Sequence, residues 1–163
     1  MDFDTPDFSD LGPEVEEASE GEPVRQFAIF LQNKVGELAS LVKMLGDHHI
    51  IVLGLSVQDA SDYAIVRLVV SDPDSTRELF QEHGVAHSMI DLVVVEMKDG
   101  VSCLSKLLGC VLASEVNIHF SYPLLVRPDD KAVLAMHVED VECATVSLRG
   151  GGFRTLTQAD ISR

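Results

Sequence analysis

The sequence predicts an α+β fold made of two tandem βαββαβ units, each an antiparallel sheet carrying its helices on one face. Three observations predict it. Apolar positions repeat at an offset of 66 residues, helix-period segments alternate with strand-period segments in the same order in both halves, and 163 residues suffice for one substantial core or two small ones.

The repeat begins where Asn33-Lys34-Val35-Gly36-Glu37-Leu38 overlies Asp99-Gly100-Val101-Ser102-Cys103-Leu104. Each segment opens on a polar, turn-forming residue, has a small residue three further on and ends in Leu. The offset continues as Leu38, Leu41, Val42 and Leu45 fall opposite Leu104, Leu107, Leu108 and Val111, both with the i, i+3, i+4, i+7 spacing of an amphipathic helix. Ile50-Ile51-Val52-Leu53 then matches Val116-Asn117-Ile118-His119 as strand. A two-residue insertion in the loop containing Pro128-Asp129-Asp130 raises the offset to 68, so that 62–72 overlies 130–140.

In the first half the elements run as a strand over 25–31, a helix over 36–48, strands over 50–57 and 63–70, a helix over 74–83 and a strand over 88–97. Asp72-Pro73-Asp74-Ser75 has the form of a turn followed by a helix cap. In the second half a helix over 141–152 directs Leu148 inward, ends flexibly at Gly150-Gly151-Gly152 and precedes a strand over 153–156. This order is the split βαβ, or ferredoxin-like, arrangement. One segment, 88–97, must close the first unit and open the second, which gives units over 24–91 and 92–163.

Charge is uneven. The first 23 residues hold nine acids and no base within a net charge of -15, and they include Pro6 and Pro13. Such a stretch is expected to be a disordered tail, either solubilising or a docking arm for a basic partner. An acidic chain with no basic stripe argues against nucleic-acid binding. No secretory signal and no apolar run of about 20 residues is present, so neither export nor membrane insertion is expected. Cys103, Cys110 and Cys143, an odd number in apolar surroundings, fit reduced core thiols in the cytoplasm.

Catalysis needs a nucleophile with its base, a metal set or a cofactor motif. His48-His49 end a helix, His83 and His87 straddle a glycine turn, and the Gly150-Gly152 run follows a helix instead of opening one. No enzyme, metal or cofactor is expected.

The turn at Asn33-Lys34-Val35-Gly36-Glu37-Leu38 resembles the signature of the ACT domain family of amino-acid-sensing modules: Asn or Asp, any residue, Pro, Gly, any residue, Leu. Val35 replaces the proline. The second copy keeps Asp99 and Leu104, with Val101 for proline and Ser102 for glycine. Glu115-Val116-Asn117-Ile118 followed by Phe120-Ser121-Tyr122 resembles the family's second strand, and the resemblance spans 24–160. More narrowly it points to stand-alone ACT pairs related to acetolactate-synthase regulatory subunits.

The resemblance implies a non-catalytic regulatory protein that binds a free amino acid, branched, aromatic or histidine. It also implies a homodimer, with an amino-acid biosynthetic enzyme as a possible partner. A helix start presents unpaired N–H groups and the positive end of the helix dipole, which suit a carboxylate. Asn33 can cap the helix or hold the ligand's amino group, and Gly36 lets backbone approach closely. The implied site comprises Asn33, Lys34, Val35, Gly36, Glu37 and Leu38 at the first turn and Asp99, Val101 and Ser102 at the second. Leu53, Gly54, Asn117 and His119 form the opposite wall, with His119 open to a structural reading.

Overall fold

The computed structural model describes residues 21–32 and 35–163. Most of the expected acidic tail (1–20), together with Asn33 and Lys34, lies outside the described residues.

The chain runs β1 (Val24–Gln32), α1 (Val35–Asp47), β2 (Val52–Ala60), β3 (Tyr63–Val70), α2 (Pro73–Glu82), β4 (His87–Met97), a 3₁₀ turn (Gly100–Cys103), α3 (Leu104–Ala113), β5 (Ile118–Pro123), a second 3₁₀ turn (Pro128–Asp130), β6 (Ala132–Val138), α4 (Val141–Gly150) and α5 (Gln158–Ile161). The expected α+β class of tandem ferredoxin-like units is what forms.

All pairings are antiparallel, in one six-stranded sheet ordered β2-β3-β1-β4-β6-β5. β4 serves both halves. Its first part pairs with β1 as far as Leu92↔Val24, and Val93 to Met97 pair with β6. Past the start of β1, the same edge of β4 takes the segment after α4: Val95 bridges Thr155, and Glu96 N–H donates to the Arg154 carbonyl at 3.0 Å. The strand expected over 153–156 is reduced to that short bridge.

Alternation along each strand sends residues to two faces. On one face α1 and α2 cover Phe27, Ile29, Val66, Leu68 and Val70, while α3 and α4 cover Val93, Val95, Met136 and Val138. The opposite face would be apolar and wet if the sheet stayed flat. Instead the sheet curls, and Val24, Leu53, Val69, Leu92, Val94, Tyr122, Val133 and Ala135 form a third core drawn from both halves, closed by Leu156 and Ile161. Closure brings the edge strand β2 to the chain after β5, where Leu125 N–H donates to the Leu53 carbonyl at 2.8 Å.

Gly54 makes that approach possible. A Cβ there would stand 2.6 Å from Leu124 Cδ2 and 3.4 Å from Val69 Cβ. Gly54→Ala should therefore overpack the seam and lower stability by about 1–3 kcal/mol, read as a shift of the urea midpoint without loss of fold.

Three expected inward positions differ. Val42 and Leu108, related by the 66-residue offset, and Leu104 remain exposed because the sheet covers only the arc around Leu41 and Leu45, or Leu107 and Val111. Cys143 is also exposed, unlike buried Cys103, because it lies in the first turn of α4, where its N–H meets Asp140 Oδ1 at 2.9 Å.

Candidate functional site

At the first turn, β1 ends at Gln32 and α1 begins at Val35. Val35 and Gly36 are exposed, Glu37 and Leu38 partly buried, and a Cβ on Gly36 would meet nothing within 4 Å. Packing against the described residues therefore does not require glycine at this position.

At the second turn, Gly100 takes a φ of +64° and the chain tightens into the 3₁₀ turn before α3. Ser102 Oγ donates to the Asp99 carbonyl at 2.7 Å and Cys103 Sγ to the Gly100 carbonyl at 3.1 Å. The Asp99 carboxylate makes no capping bond, and Val101 is exposed.

Beside this turn lies a cavity of about 300 Å³. β4 contributes Glu96, with Lys98 and Asp99 following it; α3 contributes Lys106; Lys131 precedes β6; and the chain after α4 adds Phe153 and Arg154. Strand pairing puts them together, because Arg154 is bonded through its backbone to Glu96 and Lys131 enters β6 beside the end of β4. Glu96 has a side chain only 5% exposed and accepts from Arg154 Nη1 at 3.1 Å and Lys131 Nζ at 3.3 Å. Buried carboxylates need such partners. Arg154 also reaches Asp129 at 3.4 Å and Asp160 at 3.7 Å. Burial works against its charge, but Glu96, Asp129 and Asp160 outweigh burial and hold the guanidinium above its ordinary pKa.

Lys98 and Lys106 are exposed and make no ion pair among the described residues; Lys106 Nζ stands 5.7 Å from the centre of the Phe153 ring. The wall thus offers two unmatched ammonium groups, one unengaged carboxylate and an aromatic face.

Among the described residues the first half carries no counterpart of this charge arrangement. At the offsets of 66 and 68, Phe30, Tyr63 and Ala86 occupy the places of Glu96, Lys131 and Arg154, and the same register holds, Phe30↔Ile65 against Glu96↔Val133. Phe30 and Tyr63 meet edge to face at 5.6 Å and remain exposed. The repeat conserves architecture and changes chemistry.

Of the residues singled out from the sequence, Asp99 lines the cavity. Leu53 and Gly54 are buried in the seam between the halves. Asn117 is exposed and donates to Glu139 Oε2 at 3.0 Å, and His119 meets His137 at 4.8 Å between ring centres with the rings tilted by 43°. Glu96, Lys98, Lys106, Lys131 and Arg154 were not singled out, although an acid inside the apolar run Val93-Val94-Val95-Glu96-Met97 was a visible sign of a buried, paired carboxylate.

A second polar cluster lies on the curled face. Arg67 from the first half covers the Phe120 ring at 4.0 Å, and the buried Tyr122 hydroxyl donates to Gln26 Oε1 at 2.7 Å. Burial holds the Tyr122 phenol well above the ordinary tyrosine range, against the pull of Arg67. His137 packs on His119 and Phe120, and its Nδ1 is buried without a partner among the described residues.

Burial first, then His119 and Arg67, keeps the His137 pKa below its ordinary 6.5. The unfolded chain accordingly takes up a proton near 6.5 that the folded chain resists. The contribution is fully present above that pH and is lost as pH falls through the lower folded value. Urea midpoints measured from about pH 7.5 to 5 should fall less steeply for His137→Gln than for the parent chain.

Among the described residues no helix is long and apolar enough to cross a membrane. A single antiparallel sheet of two ferredoxin-like halves that share β4 defines a paired ferredoxin-like architecture. The family model for the ACT domain pair matches residues 23–148, and the chain belongs to that family.

Among solved structures, protein BT0572 from Bacteroides thetaiotaomicron is 24% identical with a TM-score of 0.79, over 88% of this chain and 98% of that one. The ligand-free regulatory subunit of aspartate kinase from Thermus thermophilus is 13% identical with a TM-score of 0.59, over 80% and 91%. The regulatory subunit of aspartate kinase from Thermus flavus is 14% identical with a TM-score of 0.51, over 82% and 94%. At these identities the likeness is one of fold. No curated protein matches the sequence significantly.

Proposed function

We propose that this ACT pair is a non-catalytic regulatory protein of the cytoplasm that binds a free amino acid at the cavity beside the second turn. The observation that carries the reading is the charge arrangement there: Lys98 and Lys106, without carboxylate partners among the described residues, face the same space as the Asp99 carboxylate. That pattern complements a carboxylate and an ammonium on one small molecule. A volume of about 300 Å³ suits a ligand of amino-acid size. Binding would act on a partner or on self-association only through differing affinity for the two states.

A docking role on an amino-acid biosynthetic enzyme, or a homodimer, is the second reading. It is favoured by an exposed apolar row made of Val101 in the 3₁₀ turn and Leu104, Leu108 and Leu112 along α3.

Thermal melting of the full chain against each of the twenty amino acids at millimolar concentration tests the first reading. A ligand of the folded state must raise the midpoint by mass action, and at least one amino acid is expected to do so. If all twenty leave it unmoved, amino-acid binding is abandoned in favour of the docking role.

A further inference from the structure

The geometry points to a ligand with two carboxylates, of the acidic-amino-acid class, and this inference rests on the cavity of the proposed function. The chain is strongly acidic, with 12 basic residues against 27 acids. Even so, three of its five lysines and Arg154 converge on this one space.

Their charges are not equally available. Lys131 and Arg154 are committed to Glu96, and Arg154 is shared further with Asp129 and Asp160. Neither can turn to a ligand without stranding a nearly buried carboxylate, which is costly. Lys98 and Lys106 carry no such commitment. They stand on different elements, beyond the end of β4 and in the first turn of α3, so each is placed to meet its own anionic group.

The one lining carboxylate other than Glu96 is Asp99, which answers a single ammonium. An amino acid with a neutral side chain would match Asp99 and one lysine, leaving the second lysine facing an uncharged group. A second carboxylate completes the set. Arg154, the one lining guanidinium, already serves three carboxylates, so the planar two-point fork that recognises phosphate is not free here.

The test compares isosteres by titration calorimetry on the full chain, with glutamate against glutamine and aspartate against asparagine. The acids are expected to bind about tenfold tighter or more than their amides. Lys106→Met keeps a good helix former at an exposed site and should bring glutamate down to the affinity of glutamine. Lys98→Gln should do the same, and circular dichroism should show both variants folded.

Equal binding of acid and amide overturns the two-carboxylate inference and leaves amino-acid binding standing. Glutarate, which lacks the amino group, separates the two claims in the other direction. If it binds as tightly as glutamate, the two-carboxylate inference holds and the amino-acid reading falls. Inorganic phosphate binding as tightly as glutamate overturns the inference, as does binding of glutamate that survives both lysine substitutions unchanged. No heat with any of these compounds overturns the two-carboxylate inference, while amino-acid binding then stands or falls on the melting test with all twenty.

Discussion

Replacing Val94 by Asp should cost at least about 4 kcal/mol and should weaken both halves of the molecule together. Val94 is 1% exposed, lies on the curled face of β4 among Val24, Leu92, Tyr122, Val133 and Leu156, and accepts the Leu156 N–H on its carbonyl at 2.8 Å. Among the described residues of that apolar cluster none is a cation that could receive a carboxylate, so the charge would be buried unpaired or the strand would shift. Because β4 pairs with β1 through its first part and with β6 through its second, neither half keeps its ferredoxin-like sheet if the strand moves. Loss on that scale removes much of the stability of an ordinary domain.

The measurement is equilibrium unfolding followed by circular dichroism and by tyrosine fluorescence. The chain has two tyrosines and no tryptophan. Tyr63 on β3 reports the first half, and Tyr122 on β5, bonded to Gln26, reports the second half and its seam with the first, each read alone in a chain whose other tyrosine is replaced by phenylalanine. Coincident transitions shifted to lower denaturant are expected. Two separated transitions, one unshifted, would show the halves to be independent and the shared strand to be energetically unimportant.

Local order was readable where a period or a cap was long enough to dominate. β3 occupies 63–70 as its β-branched run predicts, and Asp72 caps α2 by accepting the Ser75 N–H at 3.0 Å, with Pro73 at the first helical position. The offsets of 66 and 68 recur as equal strand registers, so the repeat was a true image of the fold. Long-range closure was another matter. The Tyr122–Gln26 bond joins residues 96 apart, and nothing in the pattern of β2 announces that Gly54 will lie against Leu124. α5 is four residues long, too short to show a period, and is held by a capping box between Thr157 and Asp160.

The candidate site was legible only at its rim. Asp99 belongs to a recognisable turn, but the groups that give the cavity its charge come from β4, α3, the start of β6 and the segment after α4. Turn motifs describe a backbone shape, which both halves share. The charges sit on positions where the halves differ, Glu96 against Phe30 and Lys131 against Tyr63, and those differences acquire meaning only once strand register pairs them.

Removing the ring of Phe27 should be among the heaviest losses open to the helix-covered core of the first half, about 3–5 kcal/mol for Phe27→Ala. Phe27 is fully buried on β1, meets Phe80 of α2 edge to face at 5.4 Å and packs on His87 at 5.6 Å. α1 and β3 close the same cluster through Leu45 and Leu68, so the surroundings can collapse into the void only by moving several elements. The substitution also tests how far the shared strand carries energy. If the two halves form one cooperative body, the damage at Phe27 must lower the midpoint reported by Tyr122 as much as that reported by Tyr63. A ligand bound beside Lys98 and Lys106, in the other half, must then raise both midpoints of Phe27→Ala by the same increment it gives the parent chain, since binding acts on the common folded state. An increment confined to Tyr122 would mean that the cavity speaks only to its own half, and β4 would then be a shared strand without being a shared stability.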